Sequence, residues 1–595
     1  MVSSSTLRNS PLLKKLSISQ ALKSPPQPFA PAHKFWKRSK DFPNPAPSLT
    51  NWLSTQTEDA VEKLHTLTSN ADAIEKVIRS KATTAELAIP KMKKYLQRIG
   101  LDSNDLNKLS VIHVSGTKGK GSTCAFSERI LSCHGYTTGL YTSPHLFEVR
   151  ERIRINGRPL SKEKFGKYFW SVFSKLKDTE IPCKADEGYD MPFYFTFLTV
   201  MAIHVFLEEG VDVAIMEVGI GGQYDPTNVF ERPVVCGVTA LGFDHTNILG
   251  NTIQEIAWNK AGIFKRDRPA VVLPQDPSAM QVILDRAVER QSPLFVSESL
   301  SRHDLNNLHV NLGIDCDKQA ENGCLAVHLT DLWMRLHKRE AQMQKYVPAT
   351  FSNIEDIASL KIRDLHEATV EGLSTCVWPG RTQTIKRERT TYYLDGAHTR
   401  ESIEVCAKWF KEKANMEKMH LGGTVIRLLI FNTTGDRDTR LFLSLLKDCD
   451  FDVALFCTNQ LSTVESLSKS DRYYNTFSWK KMMEKARSNQ AVWDNLTPSP
   501  SSVSPDRTAE SCGRPSQDKS FLTSPSSQAF PCILHALAWA TQGRDSNVKV
   551  KDHRGVDLPE APQFLQKAEH VQILITGSLH LVGGALEVLI PDMNS

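Results

Sequence analysis

The chain has 595 residues, a formal net charge of +5, 40% hydrophobic residues and 23% charged residues. This length exceeds what one compact core usually organises, so two packed domains with irregular segments are expected. The composition is that of an ordinary globular protein. No apolar run reaches the roughly 18 residues that suggest a membrane span, which excludes an integral membrane protein and predicts a soluble one.

The N-terminal residues differ from the rest of the chain in charge. The first forty carry eight lysines and arginines and no acidic residue, so the remainder is slightly acidic. A basic, serine-rich N-terminus without a long apolar stretch favours a mitochondrial targeting leader, predicted over 1–56, and argues against a nucleic-acid surface. A disordered basic tail is the alternative. The twelve cysteines include no C-x-x-C pair, which favours reduced thiols over a zinc cluster or a disulfide framework.

Helical periodicity begins near Thr57, and short apolar runs then alternate with helical stretches to about Gln275. This alternation predicts an α/β domain over 57–315, with a mostly parallel sheet covered by helices on both faces. Its predicted strands cover 109–114, 211–218, 234–241 and 270–273.

A second alternating region begins near Thr390 and predicts a smaller, Rossmann-like α/β domain over 381–595. The range 316–380, helical around 326–335, is expected to contain the linker. A stretch at about 497–528 is dense in serine and proline, which is typical of a disordered insertion. The predicted strands of this half cover 391–394, 425–431, 453–456 and 573–575.

The sharpest motif follows the first predicted strand and opens a helix. Its small residues let backbone N–H groups surround phosphate oxygens, the helix N-terminus adds its dipole, and Lys120 supplies a positive charge. Ser122 can reach a phosphate or its magnesium. Gly121 separates Lys120 from Ser122, unlike the standard loop, which points away from ordinary GTPases. A flexible Gly/Lys turn is the alternative, which the flanking strand and helix disfavour. The predicted nucleotide-binding residues are Gly116, Thr117, Lys118, Gly119, Lys120, Gly121, Ser122 and Thr123.

The segment 116–122 resembles the G-T-x-G-K-G-S loop of the folylpolyglutamate synthases in the Mur ligase superfamily. The resemblance extends from about Thr57 to the C-terminus, excluding the insertion, and is greatest to vertebrate-like members with a mitochondrial leader. The family's H-Q-x-x-N-A pattern is altered here, because Lys318 and Gly323 replace its histidine and alanine while Asn322 is kept. The other matching segments are 142–146 (TSPHL), 149–157, 217–222 (EVGIGG), 244–245, 249–250, 256–263 (IAWNKAGI), 378–381 (WPGR), 395–398 (DGAH), 431–438 and 576–578.

The resemblance implies a ligase that uses ATP and Mg²⁺ to add L-glutamate to the γ-carboxylate of folates. A carboxylate is unreactive toward an amine until phosphoryl transfer converts it to an acyl phosphate, which the amino group of glutamate then attacks. Magnesium suits the converging negative charge because it takes oxygen ligands and bridges phosphates. Two magnesium sites are expected, and a monovalent cation such as K⁺ is a further expected cofactor.

The resemblance also implies roles for individual residues. Lys260 would ligate metal once carbamylated, since an unmodified lysine would be repelled by the metal; a solvated lysine, or one paired with Glu255, is the alternative. The implied catalytic residues are Lys120, Glu217, His245, Lys260 and His398. The implied magnesium ligands are Ser143, Glu217, His245 and Lys260. The implied further ATP contacts are Asn322, Arg381, Asp395 and His398.

For folate and glutamate the resemblance implies a wider set of residues. Aromatic faces can stack on a pteridine ring and arginines can pair with carboxylates, although aromatic residues near 192–197 are equally expected in the core. The implied residues are His145, Arg150, Arg152, Phe193, Tyr194, Asp436, Ser578 and His580.

Three alternative functions remain open at this stage. A dihydrofolate synthase, alone or bifunctional, would use dihydropteroate, but bacterial bifunctional relatives commonly carry glutamate near the position of Phe195. A nucleotide-gated scaffold would not need Glu217, His245, Lys260 and His398, and a peptidoglycan ligase is disfavoured by the leader. The favoured prediction is a monomeric enzyme that binds reduced folate, glutamate and ATP, without nucleic acid or stable membrane insertion. It would lie in the mitochondrial matrix or at the inner membrane, with a cytosolic form as a second possibility.

Overall fold

The structure, a computed structural model, describes residues 57–67, 86–180, 191–338, 353–435, 437–462, 478–497, 527–548 and 558–591. The predicted leader over 1–56, nearly all of the predicted insertion at 497–528, and Asp436 lie outside the described residues. Within these ranges, no helix combines the length and the apolar character needed to cross a membrane.

The first half of the chain forms an α/β layer around a sheet that has nine strands in the described residues, in the order β4-β3-β2-β5-β1-β6-β7-β8-β9. Neighbouring strands are parallel except at the β4-β3-β2 edge, which is antiparallel. The strands are β1 Val111–Ser115, β2 Thr138–Tyr141, β3 Ile153–Ile155, β4 Arg158–Pro159, β5 Val213–Glu217, β6 Val235–Val238, β7 Ala270–Val272, β8 Leu294–Ser297 and β9 Ala358–Leu360.

Helices cover this sheet because its central strands are buried and apolar on both faces, as parallel strands between helices must be. The helices are α1 57–65, α2 Ala88–Arg98, α3 Ser103–Leu106, α4 Lys120–Cys133, α5 Lys162–Asp178, α6 Tyr194–Glu208, α7 Thr246–Leu249, α8 Ile253–Lys260, α9 Pro277–Arg290, α10 Arg302–Asn307, α11 Asp317–Leu336 and α12 Glu367–Ser374. Helix α4 lies against both α11 and α12. The predicted linker range 316–380 therefore contains α11, which packs on the first sheet, β9, which is a strand of that sheet, and α12, which packs on α4. The domain boundaries themselves stay predictions.

The second half forms a smaller α/β layer, whose sheet has six strands in the described residues, in the order β10-β11-β15-β12-β13-β14. Only β10 is antiparallel to its neighbour. The strands are β10 Gln383–Lys386, β11 Thr390–Asp395, β12 Val425–Phe431, β13 Val453–Cys457, β14 Ser527–Phe530 and β15 His570–Thr576. The helices are α13 Arg400–His420, α14 Thr439–Lys447, α15 Trp479–Leu496, α16 Ile533–Thr541, α17 Gln563–Gln566 and α18 Leu579–Leu589.

The parallel strands β1, β2, β5 and β6 point their carboxyl ends toward one edge of the first sheet. The loops that follow them, which begin at residues 116, 142, 218 and 239, emerge together at that edge. Open α/β sheets bind ligands beyond the carboxyl ends of their strands. The predicted α/β class is confirmed, and its topology brings the matching motifs to one edge.

Candidate active site

The phosphate loop connects β1 to α4 through two glycines with positive φ. Gly116 has a φ of 140°, and a Cβ added there would lie 1.8 Å from Thr239 Oγ1. Gly119 has a φ of 90° and stands at the N-cap of α4, where a Cβ would lie 2.1 Å from Asn322 Oδ1. Both positions require glycine, because an L-residue would meet backbone strain and a collision together.

The loop is anchored to the segment that follows β6. The N–H groups of Thr117 and Lys118 donate to the carbonyl oxygen of Ala240 at 3.0 and 3.1 Å. Lys118 Nζ lies 3.0 Å from Asp244 Oδ2. Burial is the largest single influence and raises the pKa of Asp244, but the charge and hydrogen bond of Lys118, together with His245 and His398, lower that pKa to about 2. Lys118 therefore links the phosphate loop to the segment that carries His245.

Two lysines converge on the carbonyl oxygen of Gly116. Lys120 Nζ donates to it at 3.1 Å and Lys260 Nζ donates to it at 2.7 Å. Lys260 ends α8 and is only 4% exposed. Burial, and then the nearby charge of Lys120, lower the pKa of Lys260 well below its ordinary value. Lys260 thus lies behind the phosphate loop.

Glu217 is the last residue of β5 and is 4% exposed. Its Oε2 accepts a hydrogen bond from the Ser143 N–H at 2.9 Å, which joins the loops after β2 and β5. Burial raises the pKa of Glu217, while Lys120 and the Ser143 N–H partly offset this increase. The carboxylate of Glu217 is therefore enclosed, although it stands at the end of a strand.

His245 stands in the left-handed region, with φ 51°, at the N-cap of α7. Its side chain is 48% exposed, and its Nε2 lies 3.9 Å from Asp244 Oδ1. Burial lowers the pKa of His245, Asp244 raises it, and Lys120 lowers it further; the net shift is downward. A neutral imidazole at neutral pH can act as a ligand or a hydrogen-bonding group.

The C-terminal half contributes the opposite wall through the segments 378–382 and 395–402. Asp395 accepts from the N–H groups of Thr382 at 2.8 Å and Ala397 at 2.9 Å, so its carboxylate fixes the two segments together. His398 Nδ1 lies 2.8 Å from the carbonyl oxygen of Gly396. Because a carbonyl can only accept, Nδ1 carries the proton in this arrangement. Burial lowers the pKa of His398 to about 4, so the ring is neutral near pH 7.

A single cavity of about 1500 Å³ joins these walls. It contains residues from the phosphate loop, from the strand ends and from both C-terminal segments. The predicted residues that line it are Thr117, Lys118, Gly119, Lys120, Gly121, Ser122, Ser143, Arg152, Phe193, Tyr194, Glu217, His245, Asn322, Arg381, Asp395 and His398. The predicted residues that lie outside its lining are Gly116, Thr123, His145, Arg150, Lys260, Ser578 and His580.

One arm of the cavity is aromatic and carries an arginine. The Arg152 guanidinium lies 5.3 Å from the centre of the Tyr194 ring, and Arg152 Nε donates to His145 Nδ1 at 3.0 Å. His145 therefore orients Arg152 from behind. Arg150 faces elsewhere, since its guanidinium is bound by Glu148 and by the carbonyl oxygen of Leu160.

Three further cavity residues were not among the predicted site residues, although Phe195 was noted as a difference from bifunctional relatives. The Phe195 ring covers Gly219, where an added Cβ would lie 2.5 Å from Phe195 Cζ. Asp225 is buried and accepts from the N–H groups of Thr227 at 2.9 Å and Ile220 at 3.0 Å, which holds the loop after β5. Trp378 also lines the cavity. Its place in the matching 378–381 segment was the only sequence signal, because contacts between distant segments leave no local pattern.

The cavity offers oxygen donors of the kind that magnesium binds. Mg²⁺ keeps several waters and is commonly bound by one or two carboxylates together with substrate phosphates. Glu217 offers a buried carboxylate and Ser143 a hydroxyl on the same cavity. In the part of the chain that is described, no three His, Cys, Asp or Glu side chains converge tightly enough to hold a metal ion. The residues therefore fit a magnesium ion shared with nucleotide phosphates.

A phosphate loop, a strand-end carboxylate, and an arginine and a histidine from a second α/β layer form one cleft of the kind that an ATP-dependent ligase requires. No protein-family model matches the chain. The mitochondrial folylpolyglutamate synthase of Homo sapiens is 40% identical over 563 residues, covering 91% of this chain and 93% of the human protein. That of Cricetulus griseus is 40% identical over 551 residues, covering 90% and 92%. This chain belongs to the folylpolyglutamate synthase family.

Solved structures share the fold at lower identity. The folylpolyglutamate synthase of Mycobacterium tuberculosis complexed with ADP and AMPPCP has a TM-score of 0.55 and 21% identity, covering 84% of this chain and 96% of that one. Escherichia coli FolC in complex with DHPP and ADP has a TM-score of 0.54 and 21% identity, covering 84% and 97%. At this identity the likeness establishes the fold alone.

Proposed function

We propose that the chain uses ATP to add L-glutamate to the γ-carboxylate of a folate, giving folylpolyglutamates. The observation that supports this most directly is that Lys120, Glu217, Arg381 and His398 line one cavity although they come from both halves of the chain. The names of the 40%-identical relatives agree with this activity.

The phosphate loop would hold the nucleotide phosphates. Its N–H groups and Lys120 neutralise the charge on the phosphates, while Arg381 adds a permanent charge from the opposite wall. Asn322, whose side chain lies beside Gly119, would contact the adenosine part of ATP. Because Nδ1 of neutral His398 donates to Gly396, its Nε2 offers a hydrogen-bond acceptor there without adding charge.

Magnesium, held by Glu217 and Ser143, would neutralise charge on the transferred phosphoryl group when bound. A second magnesium ion, ligated by His245 and by carbamylated Lys260, and a monovalent cation such as K⁺ belong to the same proposal. The rest of the proposed chemistry depends on the chain's own residues. The two walls orient the carboxylate toward the terminal phosphate and exclude water from the resulting acyl phosphate.

The aromatic arm would hold the folate. Phe193 and Tyr194 can stack on its rings, and Arg152, oriented by His145, can pair with a carboxylate of its glutamyl tail. Ser578 and His580 flank Leu579, which lines the cavity, so they are proposed on the glutamate side. Arg150 and Asp436 remain predictions from the resemblance alone.

Product analysis tests the proposal. Purified protein would be incubated with ATP, magnesium, glutamate and either tetrahydrofolate or dihydropteroate, and the products resolved by mass. Successive glutamyl additions to tetrahydrofolate are expected, and they should be lost in Glu217→Gln but kept in the exposed control Glu208→Gln. Extension of dihydropteroate alone would overturn the proposal in favour of a dihydrofolate synthase, which the aromatic Phe195 disfavours.

We also propose that the chain acts in mitochondria, as the names of the human and hamster relatives and the basic N-terminal residues suggest. A cytosolic form is proposed as a second location. Imaging a C-terminally tagged full-length chain beside one that lacks residues 1–56 checks this: loss of mitochondrial signal is expected only in the shortened chain. Monomeric behaviour is the expected oligomeric state.

A further inference from the structure

Gly121 stands where the standard phosphate loop carries the serine or threonine whose hydroxyl reaches magnesium. A Cβ built on Gly121 would lie 3.4 Å from Trp378 Nε1 and 3.7 Å from Glu217 Oε2. The space that a hydroxyl-bearing side chain would fill is thus bounded by an indole and by the strand-end carboxylate. The departure from the standard motif leaves the space between the indole and the carboxylate without a side chain from the loop.

The indole is supported from the same helix that begins at the phosphate loop. The Arg154 guanidinium lies 5.3 Å from the centre of the Trp378 ring. Arg154 Nη2 lies 3.3 Å from Glu128 Oε2, and Glu128, on α4, is only 3% exposed. Glu128 Oε1 also accepts from the Gly157 N–H at 3.2 Å. Helix α4 therefore passes close to the indole at Gly121 and supports it through Glu128 and Arg154.

The N–H group of the Trp378 indole indicates a role in ligand binding as well as in packing. A tryptophan nitrogen can donate a hydrogen bond but cannot accept one or ligate a metal. Within the described ranges, no residue accepts a hydrogen bond from Trp378 Nε1, and Trp378 lines the cavity beside Gly121. A group that can only donate a hydrogen bond, placed next to the phosphate loop, is suited to bind an anionic oxygen.

We propose that Trp378 is a further residue of the ligase site, and that its indole N–H donates to an oxygen of the terminal phosphoryl group held over Gly121. This inference rests on the proposed function. Trp378 and Arg381 are three residues apart, so one short segment offers both a neutral donor and a permanent charge to the same phosphates. A hydrogen bond to an anion in an enclosed site is stronger than a neutral one.

Two substitutions separate donation from packing. Trp378→Phe keeps a flat ring but removes the donor, whereas Trp378→His changes the ring but retains a ring N–H. Trp378→Phe is expected to lower kcat by about ten- to a hundredfold, and Trp378→His by clearly less. The dissociation constant of the ATP analogue AMPPCP should rise by a similar factor in Trp378→Phe, while that of ADP changes little. Trp479→Phe, at a half-exposed tryptophan on α15, is the matched control.

Equal activity of the phenylalanine variant and the unmodified chain, or a phenylalanine variant more active than the histidine one, would reduce Trp378 to packing and overturn the inference. Where either variant folds poorly, the indole N–H resonance of the unmodified chain gives a second test. Adding AMPPCP should shift one indole signal that ADP leaves in place, and no such signal would contradict donation. Should the unmodified chain bind AMPPCP but transfer no glutamate, the proposed function fails while these binding results still decide on Trp378.

Discussion

Lys120 and Lys260 share one acceptor: both Nζ atoms donate to the carbonyl oxygen of Gly116, at 3.1 and 2.7 Å. Lys120 lines the cavity and Lys260 lies behind it, 4% exposed. Two cations around one carbonyl repel each other, so removing the charge of the buried Lys260 relieves an unfavourable interaction. This arrangement agrees with the predicted carbamylation of Lys260, which would replace a positive charge by a negative one.

Substitution and labelling of Lys260 test that interpretation. Lys260→Gln should lower the rate of glutamate addition by more than about tenfold, because a carbamate cannot form and an electrostatic partner of the bound ions is lost. Incubation with carbon-13 bicarbonate should give a carbamate NMR signal that is absent from the variant. The control is Lys265→Gln, which replaces a largely buried lysine whose Nζ donates to Asn228 O at 3.3 Å, outside the cavity lining. A labelled signal that persists in Lys260→Gln would contradict the assignment.

Gly116 should tolerate no side chain. Gly116→Ala combines a φ of 140° with a Cβ placed 1.8 Å from Thr239 Oγ1 and 3.0 Å from its backbone nitrogen, so the loop must move. We expect ATP binding to weaken by more than about a hundredfold, which corresponds to a loss of about 3 kcal/mol. Calorimetric titration with ADP and AMPPCP measures this.

Gly135 provides the matched control for Gly116. It follows the other end of α4, has a φ of 85°, and has no atom within 4 Å of an added Cβ. Gly135→Ala should therefore cost only the backbone strain, about 1–2 kcal/mol of folding stability, and leave nucleotide affinity intact. Equal nucleotide affinities of Gly116→Ala and Gly135→Ala would show that the phosphate loop can move to accept a side chain at residue 116.

An ionic cluster joins α10, α13 and the segment before α11. Arg302 bonds Asp317 at 2.7 Å, Glu412 at 2.8 Å and Asp315 at 3.3 Å, and Lys408 bonds Asp317 at 2.7 Å. Two cavity residues lie close to this cluster along the chain: Asn322, in the second turn of α11, and His398, two residues before α13. Arg302→Met should raise KM for ATP more than it lowers kcat, because it loosens the relation between the two walls.

The stability cost of Arg302→Met should be small, about 1 kcal/mol, because the cluster is partly solvated. High salt should reduce the difference from the unmodified chain, since screening already weakens the pairs there. Arg335→Met, which removes an ion pair of 2.8 Å with Asp331 within α11, is the control. If Arg302→Met and Arg335→Met raise KM for ATP equally, the ionic cluster does not hold the two walls of the cavity in place.

The sequence predicted elements well where local pattern determines them. Strand β12 was predicted with the observed bounds because its seven residues are apolar apart from Arg427 and are buried throughout. Strands β3 and β4 were missed because they are short and carry Arg154 and Arg158, which obscure any apolar run. The central position of β15, between β11 and β12, depends on pairing across a long stretch of chain and has no local signal.

The same distinction applies to the candidate site. Residues at strand ends, such as Glu217, could be placed from the predicted sheet because parallel strands share one ligand-binding edge. The position of Trp378 beside Gly121, and that of Arg150 away from the cavity, depend on tertiary packing. Family motifs identify which segments matter, but they do not show which side chains in them face the cavity.

Buried histidines predict loss of stability in mild acid. Burial, and then the charge of Lys265, lower the pKa of His113 to about 3, while burial lowers the pKa values of His328 and His398 to about 4. In the unfolded chain these histidines take up a proton with the ordinary pKa of 6.5. Below pH 6.5 the folded state therefore holds fewer protons than the unfolded state. The stabilisation is complete above pH 6.5 and is lost progressively as the pH falls toward 3 or 4.

His113 offers a direct test of this pH dependence. It is fully buried and its Nε2 lies 3.0 Å from Thr227 Oγ1, a bond that a glutamine amide can replace. Each such histidine should contribute a slope of about 1.4 kcal/mol per pH unit to the free energy of unfolding between pH 6 and 5. Urea unfolding measures how the free energy of unfolding depends on pH. In His113→Gln this slope should be smaller by about 1.4 kcal/mol per pH unit, whereas the exposed control His303→Gln should match the unmodified chain. A slope unchanged by His113→Gln would mean that His113 takes up its proton while the chain is still folded, contrary to the burial of its ring.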